Sequence, residues 1–340
     1  METQKRRIKA AIVILNWNGK DWLEKFLPTI IQHSNTAEII IADNGSTDNS
    51  LLFLSKNLPT IKVINNKENL GFAGGYNKAL NQIHAEYYVL LNSDVEVSDN
   101  WLFPIVSLMD KDKNIAACQS KLLDFNNRTK FEYAGASGGF LDNLGYPFCR
   151  GRIFDCLEED GGQYNDTTEV FWATGACLFV RADAFWEVGG FDADFFAHQE
   201  EIDLCWRLKN KGYKVMVEPK SEVYHVGGGT LNAVSSFKTH LNFRNNLYML
   251  FKNLPLLSLF FVIPLRLLLD AVAAITFLKQ KNGFLHFFAI AKAHFSFYFT
   301  IPKLIAKRQK INQKNNLVGK VNWSILFRNK VKGVKRFSDL

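Results

Sequence analysis

Short apolar runs that stop at an amide or an acid set the frame of this chain. Residues 10–15 stop at Asn16, residues 38–42 stop at Asp43, and residues 87–91 lead through Asn92 and Ser93 to Asp94. Runs of this length between polar turn residues predict buried strands. A fourth run covers 61–64. Between the runs, apolar spacing predicts helices over 20–32, 48–56, 75–84 and 99–110. Such alternation builds βαβ units on a mainly parallel sheet. Open sheets of this kind bind ligands beyond the carboxyl ends of their strands, which is where Asn16, Asp43 and Asp94 fall.

Further on the pattern changes. Residues 119–163 are rich in Gly, Asn, Asp and aromatic residues, with Gly138-Gly139 and Gly161-Gly162 marking turns. They read as irregular strands and loops over the site. Order returns at 170–181. A helix is predicted from about Glu201 to Lys211, stopped by Gly212, and then a closing pair of strands at 215–217 and 222–226. The acids Glu200, Glu201 and Asp203 open that helix, where negative charge is favourable for structural reasons alone. Acids at three such mouths together suggest a metal–diphosphate site with a general base.

A chain of 340 residues can bury a full α/β core and still carry an appendage. Its 47% hydrophobic and 22% charged residues exclude a disordered chain. The five Cys are scattered without a CxxC pair, which predicts reduced thiols and a cytosolic compartment. Residues 1–9 are polar and basic, and the run after them is too short for a signal-peptide core.

The C-terminal part differs from the rest. Residues 254–278 are nearly all apolar, interrupted by Pro255, Pro264, Arg266 and Asp270, and a second apolar stretch, 284–305, carries His286, Lys292 and His294. Three arrangements fit: helices in a membrane interface, membrane spans, or soluble helices covering the core. The interface fits best, because charges are costly at mid-bilayer. From Lys279 to Leu340 there are fourteen Lys or Arg and one acid, so the tail is expected to meet something anionic. Nucleic acid is the generic partner for such a tail. The apolar stretches before it favour an anionic membrane surface, and no nucleic-acid partner is expected.

Several motifs occur in a fixed order: Leu15-Asn16-Trp17-Asn18-Gly19, Asp43-Asn44-Gly45-Ser46-Thr47-Asp48, Asn69 to Asn77 with its glycines, Leu91-Asn92-Ser93-Asp94, Thr174-Gly175-Ala176-Cys177, and Glu200 to Arg207. Together they resemble a family 2 glycosyltransferase of the rhamnosyltransferase-like and galactofuranosyltransferase-like branch. The resemblance covers roughly residues 8–250. It implies a GT-A fold, an α/β mixed sheet flanked by helices, with a catalytic domain over 1–250; the apolar helices and basic tail over 251–340, read above as membrane-associating, lie outside the motifs. It also implies an inverting enzyme that uses Mn²⁺ or Mg²⁺. The donor would be a nucleoside-diphosphate sugar, UDP- or dTDP-linked, and the acceptor a glycan or lipid-linked glycan at the cytoplasmic face of a bacterial inner membrane.

Residue by residue, Asp94 ends a variant of the family's Asp-x-Asp motif and is expected at the metal. A hard ion takes oxygen ligands and fills its shell with water and phosphate, so one firm carboxylate suffices. Asn92 stands where the first acid would be and, with Ser93, is assigned to the donor pocket. His225, in the run Val223 to Gly229, is by resemblance a further metal ligand, and imidazole suits Mn²⁺ better than Mg²⁺. Asp43 resembles the residue that meets base and ribose, with Asn16 and Asn18 lining the same pocket. Thr47 or Asp48 suits the blander role of capping the next helix. Asn69 and the glycines from Gly71 precede a helix, an arrangement that suits an anion at a helix N-terminus. Family members usually carry Glu-Asp-x-Asp where this chain has Glu200-Glu201-Ile202-Asp203. Glu201 takes the place of the catalytic base, while Glu200 and Asp203 keep the register open and are otherwise assigned to the acceptor side. Trp172 resembles an acceptor-site aromatic and equally suits a core position. Arg207 lies one turn past Asp203, a spacing for an ion pair.

Two other classes remain at this point. A non-catalytic sugar-nucleotide-binding relative would not need the acids at 94 and 201. A nucleotidyltransferase would need a cationic triphosphate loop near the first strand, where Asn16 to Lys20 offers a single cation.

Overall fold

The computed structural model describes residues 8–227 and 235–340. The first half alternates as the periodicity predicts: β1 (Ile8–Asn16), α1 (Lys20–His33), β2 (Glu38–Asp43), α2 (Ser50–Asn57), β3 (Lys62–Asn65), α3 (Gly71–Leu80) and β4 (Ala85–Asn92). A short β5 (Val95–Val97), α4 (Leu102–Lys111) and β6 (Ile115–Asp124) follow. β1 and β4 are buried on both faces, and the edge strand β3 buries only Ile64. Ala11 and Val13 of β1 feed one apolar layer, and Ile12 and Ile14 feed the other, as a period of two requires. α1 covers the second layer with Leu23, Phe26, Leu27 and Ile30, spaced as one helical face.

The middle segment holds a four-stranded antiparallel sheet of β7 (Gly139–Leu141), β8 (Pro147–Cys149), β9 (Arg152–Ile153) and β10 (Cys156–Leu157). β11 (Thr168–Glu169), β12 (Cys177–Arg181), α5 (Ala182–Glu187), α6 (Glu200–Lys211) and β13 (Lys214–His225) return to the main sheet. Its order is β11-β13-β6-β12-β4-β1-β2-β3, with β5 beside β13. β1 to β4 are parallel, whereas β12 lies antiparallel between β4 and β6, so the sheet is mixed.

Three local expectations change. β6 continues as a strand through Asp124, into the stretch read as irregular. Residues 215–217 and 222–226 belong to one strand, β13, whose register with β6 shifts between Glu218 and Glu222. That interruption hides the continuity from a pattern search. α3 begins at Gly71, four residues before the predicted start. Gly71 has φ +70, and a Cβ there would stand 2.4 Å from the carbonyl oxygen of Phe196, so glycine is needed for the approach.

The C-terminal part is helical: α7 (Ser236–Asn253), α8 (Leu256–Phe277), α9 (Gly283–Arg308) and α10 (Ile325–Lys330). α7 lies along α9, with Tyr248 Oη 2.7 Å from Thr300 Oγ1 and Phe251 edge-on to Phe297. α8 is inverted relative to a soluble helix. Its buried residues are Arg266, Asp270 and Ala274, while Leu257, Phe260, Phe261, Leu268 and Ile275 are exposed. Arg266 donates to the carbonyl of Leu144 at 2.8 Å and to Asp270 at 3.3 Å. The mean hydropathy of its most apolar window is 2.1, and that of α9 is 1.2; both helices are long enough to cross a bilayer. The basic tail folds back on the small sheet. Ile325 packs on Phe148 and Ile153, and the Phe337 amide donates to Glu158.

Candidate active site

The expected donor residues meet at the carboxyl ends of β1 and β2. Asn16 is fully buried and donates through Nδ2 to Asp43 Oδ1 and Ser46 Oγ, both at 3.1 Å. Its Oδ1 is enclosed without a partner among the described residues. A Cβ at Gly19 would come within 2.6 Å of that oxygen, so the backbone presses on the amide. Asp43 also accepts from the Ser46 amide at 3.0 Å, closing the turn. Asn18, at φ 52, accepts from the Thr47 amide at 2.7 Å and ties the two loops together. Asp48 accepts from the Ser50 amide at 3.0 Å at the start of α2, the capping role the sequence allowed. A cavity of about 550 Å³ opens beside Asn18, Lys20 and Asp48, on the rim of this cluster.

The glycine loop is used differently from the expectation. Asn69 Oδ1 accepts from the Gly71 amide at 2.9 Å and from Asn44 at 3.1 Å. The next two amides of α3, Phe72 and Ala73, donate to the carbonyl of Phe196 at 2.6 and 3.2 Å. These first N–H groups of α3 already have a protein acceptor, which corrects the open anion cradle expected there. Phe72 and Ala73 instead fasten the loop before the acidic helix to α3, and Asn69 closes the turn at Gly71.

Asp94 and His225 come together although 131 positions separate them in the chain. β5 pairs with the end of β13 and sets His225 opposite Val95. His225 Nε2 stands 3.2 Å from Asp94 Oδ1, and Asn92 Nδ2 lies 3.5 Å from the same nitrogen. On the ring's other side, Nδ1 is 3.2 Å from Glu132 Oε1. Burial pushes the imidazole down, but Glu132 and Asp94 outweigh it and raise it to about 10. Ser93 lies buried beside them. Gly228 and Gly229 of the predicted His225 motif lie outside the described residues.

The donor set suits a hard divalent ion, which would displace the proton that Glu132 and Asp94 otherwise hold on His225. Two ligands at right angles, each about 2.0–2.1 Å from such an ion, stand roughly 3 Å apart, close to the Asp94–His225 separation. Glu132 supplies the outer carboxylate that metal-bound histidines characteristically use. Among the described residues no group of three or more His, Cys, Asp or Glu is arranged as a metal cage. An ion here would therefore take its other positions from diphosphate and water.

The acidic helix opens after a strained loop. Phe196, His198 and Gln199 all have positive φ, at 64, 72 and 69. Non-glycine residues in that region are uncommon and cluster at functional sites. Glu200 is buried and Glu201 half-buried, and each has one enclosed carboxylate oxygen without a partner. Burial raises Glu201 to about 7, against hydrogen bonds from backbone amides. Glu200 is raised well above its usual range by burial and by Glu201. The buried thiol of Cys149 is raised by burial, against Arg152, with Glu132 and Glu201 both adding.

Two acceptor expectations meet a different geometry. Asp203 is fully buried and bonded to Arg207 at 2.8 Å, Lys252 at 2.9 Å and Asn253 at 2.8 Å. With both oxygens engaged it is a structural anchor, which corrects its place on the acceptor side. Trp172 is 3% exposed, lies against Gly139 and donates its indole N–H to the carbonyl of Phe140 at 3.0 Å. It occupies the core position that the sequence left open. Sequence reading missed Glu132, the buried Arg152 and Lys238. Arg152 sits over the Tyr133 ring at 4.6 Å, and Lys238 is close enough to Glu132 and His198 to affect both charges. No motif surrounds them; only folding brings them to the site.

The chain matches the model of glycosyl transferase family 2 over residues 11–189 and belongs to that family. Its relatives place it in the rhamnosyltransferase-like branch. It is 24% identical to N-acetylglucosaminyl-diphospho-decaprenol L-rhamnosyltransferase of Mycobacterium tuberculosis, over 63% of this chain and 75% of that protein. It is 25% identical to the rhamnosyltransferase WbbL of Escherichia coli K12, over 63% and 82%. The fold is GT-A. GalNAc-T7, solved with UDP, GalNAc and Mn²⁺, aligns with a TM-score of 0.56 at 17% identity over 74% of this chain, which spans about half (49%) of that protein. The mannosyltransferase PcManGT of Pyrobaculum calidifontis, solved with GDP-Man and Mn²⁺, aligns at 0.50 and 15% identity over 92% of this chain and 77% of its own.

Proposed function

We propose that this glycosyltransferase moves a rhamnose- or galactose-type sugar, with inversion, from a UDP- or dTDP-linked donor to a hydroxyl of a lipid-linked glycan. The observation that carries the reading is Glu201, with an enclosed, unpartnered carboxylate oxygen and a raised pKa, at the start of α6 behind the positive-φ loop. Asn16, Asn18 and Asp43 bind the nucleoside, with Asn92 and Ser93 at the diphosphate end. Asp94 and His225 hold Mn²⁺ or Mg²⁺. A divalent ion bound there offsets the charge on the departing diphosphate. Glu201 accepts the proton of the acceptor hydroxyl as its oxygen attacks the anomeric carbon from the face opposite the diphosphate. A base of this kind contributes about 10²–10⁴-fold.

The lipid-linked acceptor is supported by the name of the mycobacterial relative, which specifies a diphospho-decaprenol acceptor. The outward apolar face of α8 supports residence in the interface of the inner membrane, on its cytoplasmic side. Hydrolysis of a panel of UDP-, dTDP- and GDP-sugars, with Mn²⁺ and with chelator, tests the donor class. Asp94→Ala is expected to abolish turnover and the Mn²⁺-dependent part of UDP affinity by calorimetry, with the fold intact. A wild-type protein inert toward every donor would support the non-catalytic reading, and Mn²⁺-dependent affinity unchanged in Asp94→Ala would remove the metal assignment.

A further inference from the structure

A second cavity, of about 670 Å³, lies between the end of α5, the far end of α6 and the C-terminal end of α9. Asp94, His225 and Glu201 are not in its wall. The wall carries six Lys or Arg against two acids, Glu187 and Asp192. Both acids are committed: Asp192 to Lys252 and Lys307, and Glu187 to Lys211 at 3.3 Å and Tyr213 at 2.7 Å. Lys310 and Lys314 are exposed and have no acidic partner among the described residues.

Two buried donors are left over in the same wall. Arg207, 8% exposed, gives Nε to Asp203 at 2.8 Å and Nη1 to the carbonyl of Val188 at 2.7 Å; its buried Nη2 has no partner. Asn210, 4% exposed, accepts the Lys314 amide on Oδ1 at 3.1 Å. That bond fixes the amide's orientation and leaves the buried Nδ2 without an acceptor. A buried donor left unpaired is costly, and native structures seldom leave one without a partner.

We propose that this cavity is an anion site for a phosphate group, with Arg207 Nη2 and Asn210 Nδ2 as fixed donors and Lys310 and Lys314 as the outer charges. Guanidinium and ammonium groups together match phosphate oxygens. The group comes from a phospholipid headgroup or from a soluble phosphate. α9 ends at the cavity, so if that helix lies in the interface the cavity opens at headgroup depth. The lipid source rests on the membrane reading above; the phosphate chemistry does not.

The test uses full-length protein with two probes: calorimetry with inorganic phosphate and glycerol 1-phosphate, and sedimentation with phosphatidylglycerol against phosphatidylcholine vesicles. Asn210→Asp keeps the acceptor toward Lys314 and replaces the free donor with an anion. Lys310→Gln/Lys314→Gln removes the outer charges. Each is expected to weaken binding at least about tenfold, the loss of one charge-assisted hydrogen bond, with donor hydrolysis unchanged. Lys332→Gln/Lys335→Gln removes equal charge from the exposed tail and is expected to change little. Loss in the calorimetric arm assigns a soluble phosphate, and loss in the vesicle arm assigns a headgroup. The proposal is overturned if wild type binds neither probe, if the cavity variants bind as well as wild type, or if the tail pair loses as much as they do.

Discussion

Glu201 and Asp203 are two positions apart, and their surroundings give them opposite chemistry. Burial raises Glu201 to about 7, so as a base it is competent only once deprotonated. The kcat of donor transfer is expected to rise with pH through about 7, and Glu201→Gln should lose at least about 10²-fold in kcat and lose that acid limb, with donor affinity nearly unchanged. Its folded pKa exceeds the ordinary 4.5, so the stability linked to its proton is present below about 4.5 and is lost as pH rises through about 7. Asp203 goes the other way: burial would raise it, but Lys252 and Arg207 hold it below its usual value. Its contribution is present above the ordinary carboxylate range and is lost on acidification. Asp203→Ala leaves Lys252 buried, with Asp192 as its remaining carboxylate, and should cost about 3–5 kcal/mol in denaturant unfolding. If Glu201→Gln stays active while Glu200→Gln is dead, the base is Glu200.

At the scale of elements, the acidic helix depends on α7. Asn245 Nδ2 donates to the carbonyls of Phe195, Ala197 and His198, at 2.8–2.9 Å, and so holds the positive-φ loop from one side. Phe196 holds it from the other through the first amides of α3. Asn245→Ala removes the side-chain donor from the carbonyls of Ala197 and His198, while that of Phe195 keeps Arg244 and the Ala197 amide, and it lets the loop relax. It is expected to lower kcat about tenfold or more with little change in donor KM, because the base moves while the nucleotide cluster at β1 and β2 does not. Equal changes in kcat and in UDP affinity would instead show a general loss of folding. Nothing in the run Asn242 to Asn246 announces this in sequence, since amides on a helix are ordinary surface residues until a loop is laid across them.

For the whole molecule, the exposed apolar face of α8 supports the membrane reading proposed above. A soluble covering helix buries its apolar face, whereas α8 buries an Arg–Asp pair and exposes Phe and Leu. Phe260→Glu/Phe261→Glu should abolish flotation with phosphatidylglycerol vesicles while keeping solubility and donor hydrolysis. Flotation equal to wild type would remove the membrane reading. Removal of residues from 254 onward is a poorer test. It strips α9 from Tyr248 and Phe251, and with it Lys307, which pairs with Asp192. The truncated chain is therefore expected to melt well below the intact one by calorimetry.

Much of the frame was legible because it rests on local rules. Apolar period, strand-ending Asn16 and Asp43, and Gly212 with φ +100 at the end of α6 are properties of neighbouring residues. So is the family, carried by short ordered motifs. The tertiary structure decided what depends on contacts between distant residues. It joined two apolar runs into β13 across a register shift, and it gave the first amides of α3 to Phe196. It placed Glu132 against His225, with Arg152 and Lys238 on the Glu132 side, and turned Asp203 from a candidate acid into an anchor. Those outcomes are electrostatic and steric, set by which groups share a buried volume, and no spacing along the chain encodes that.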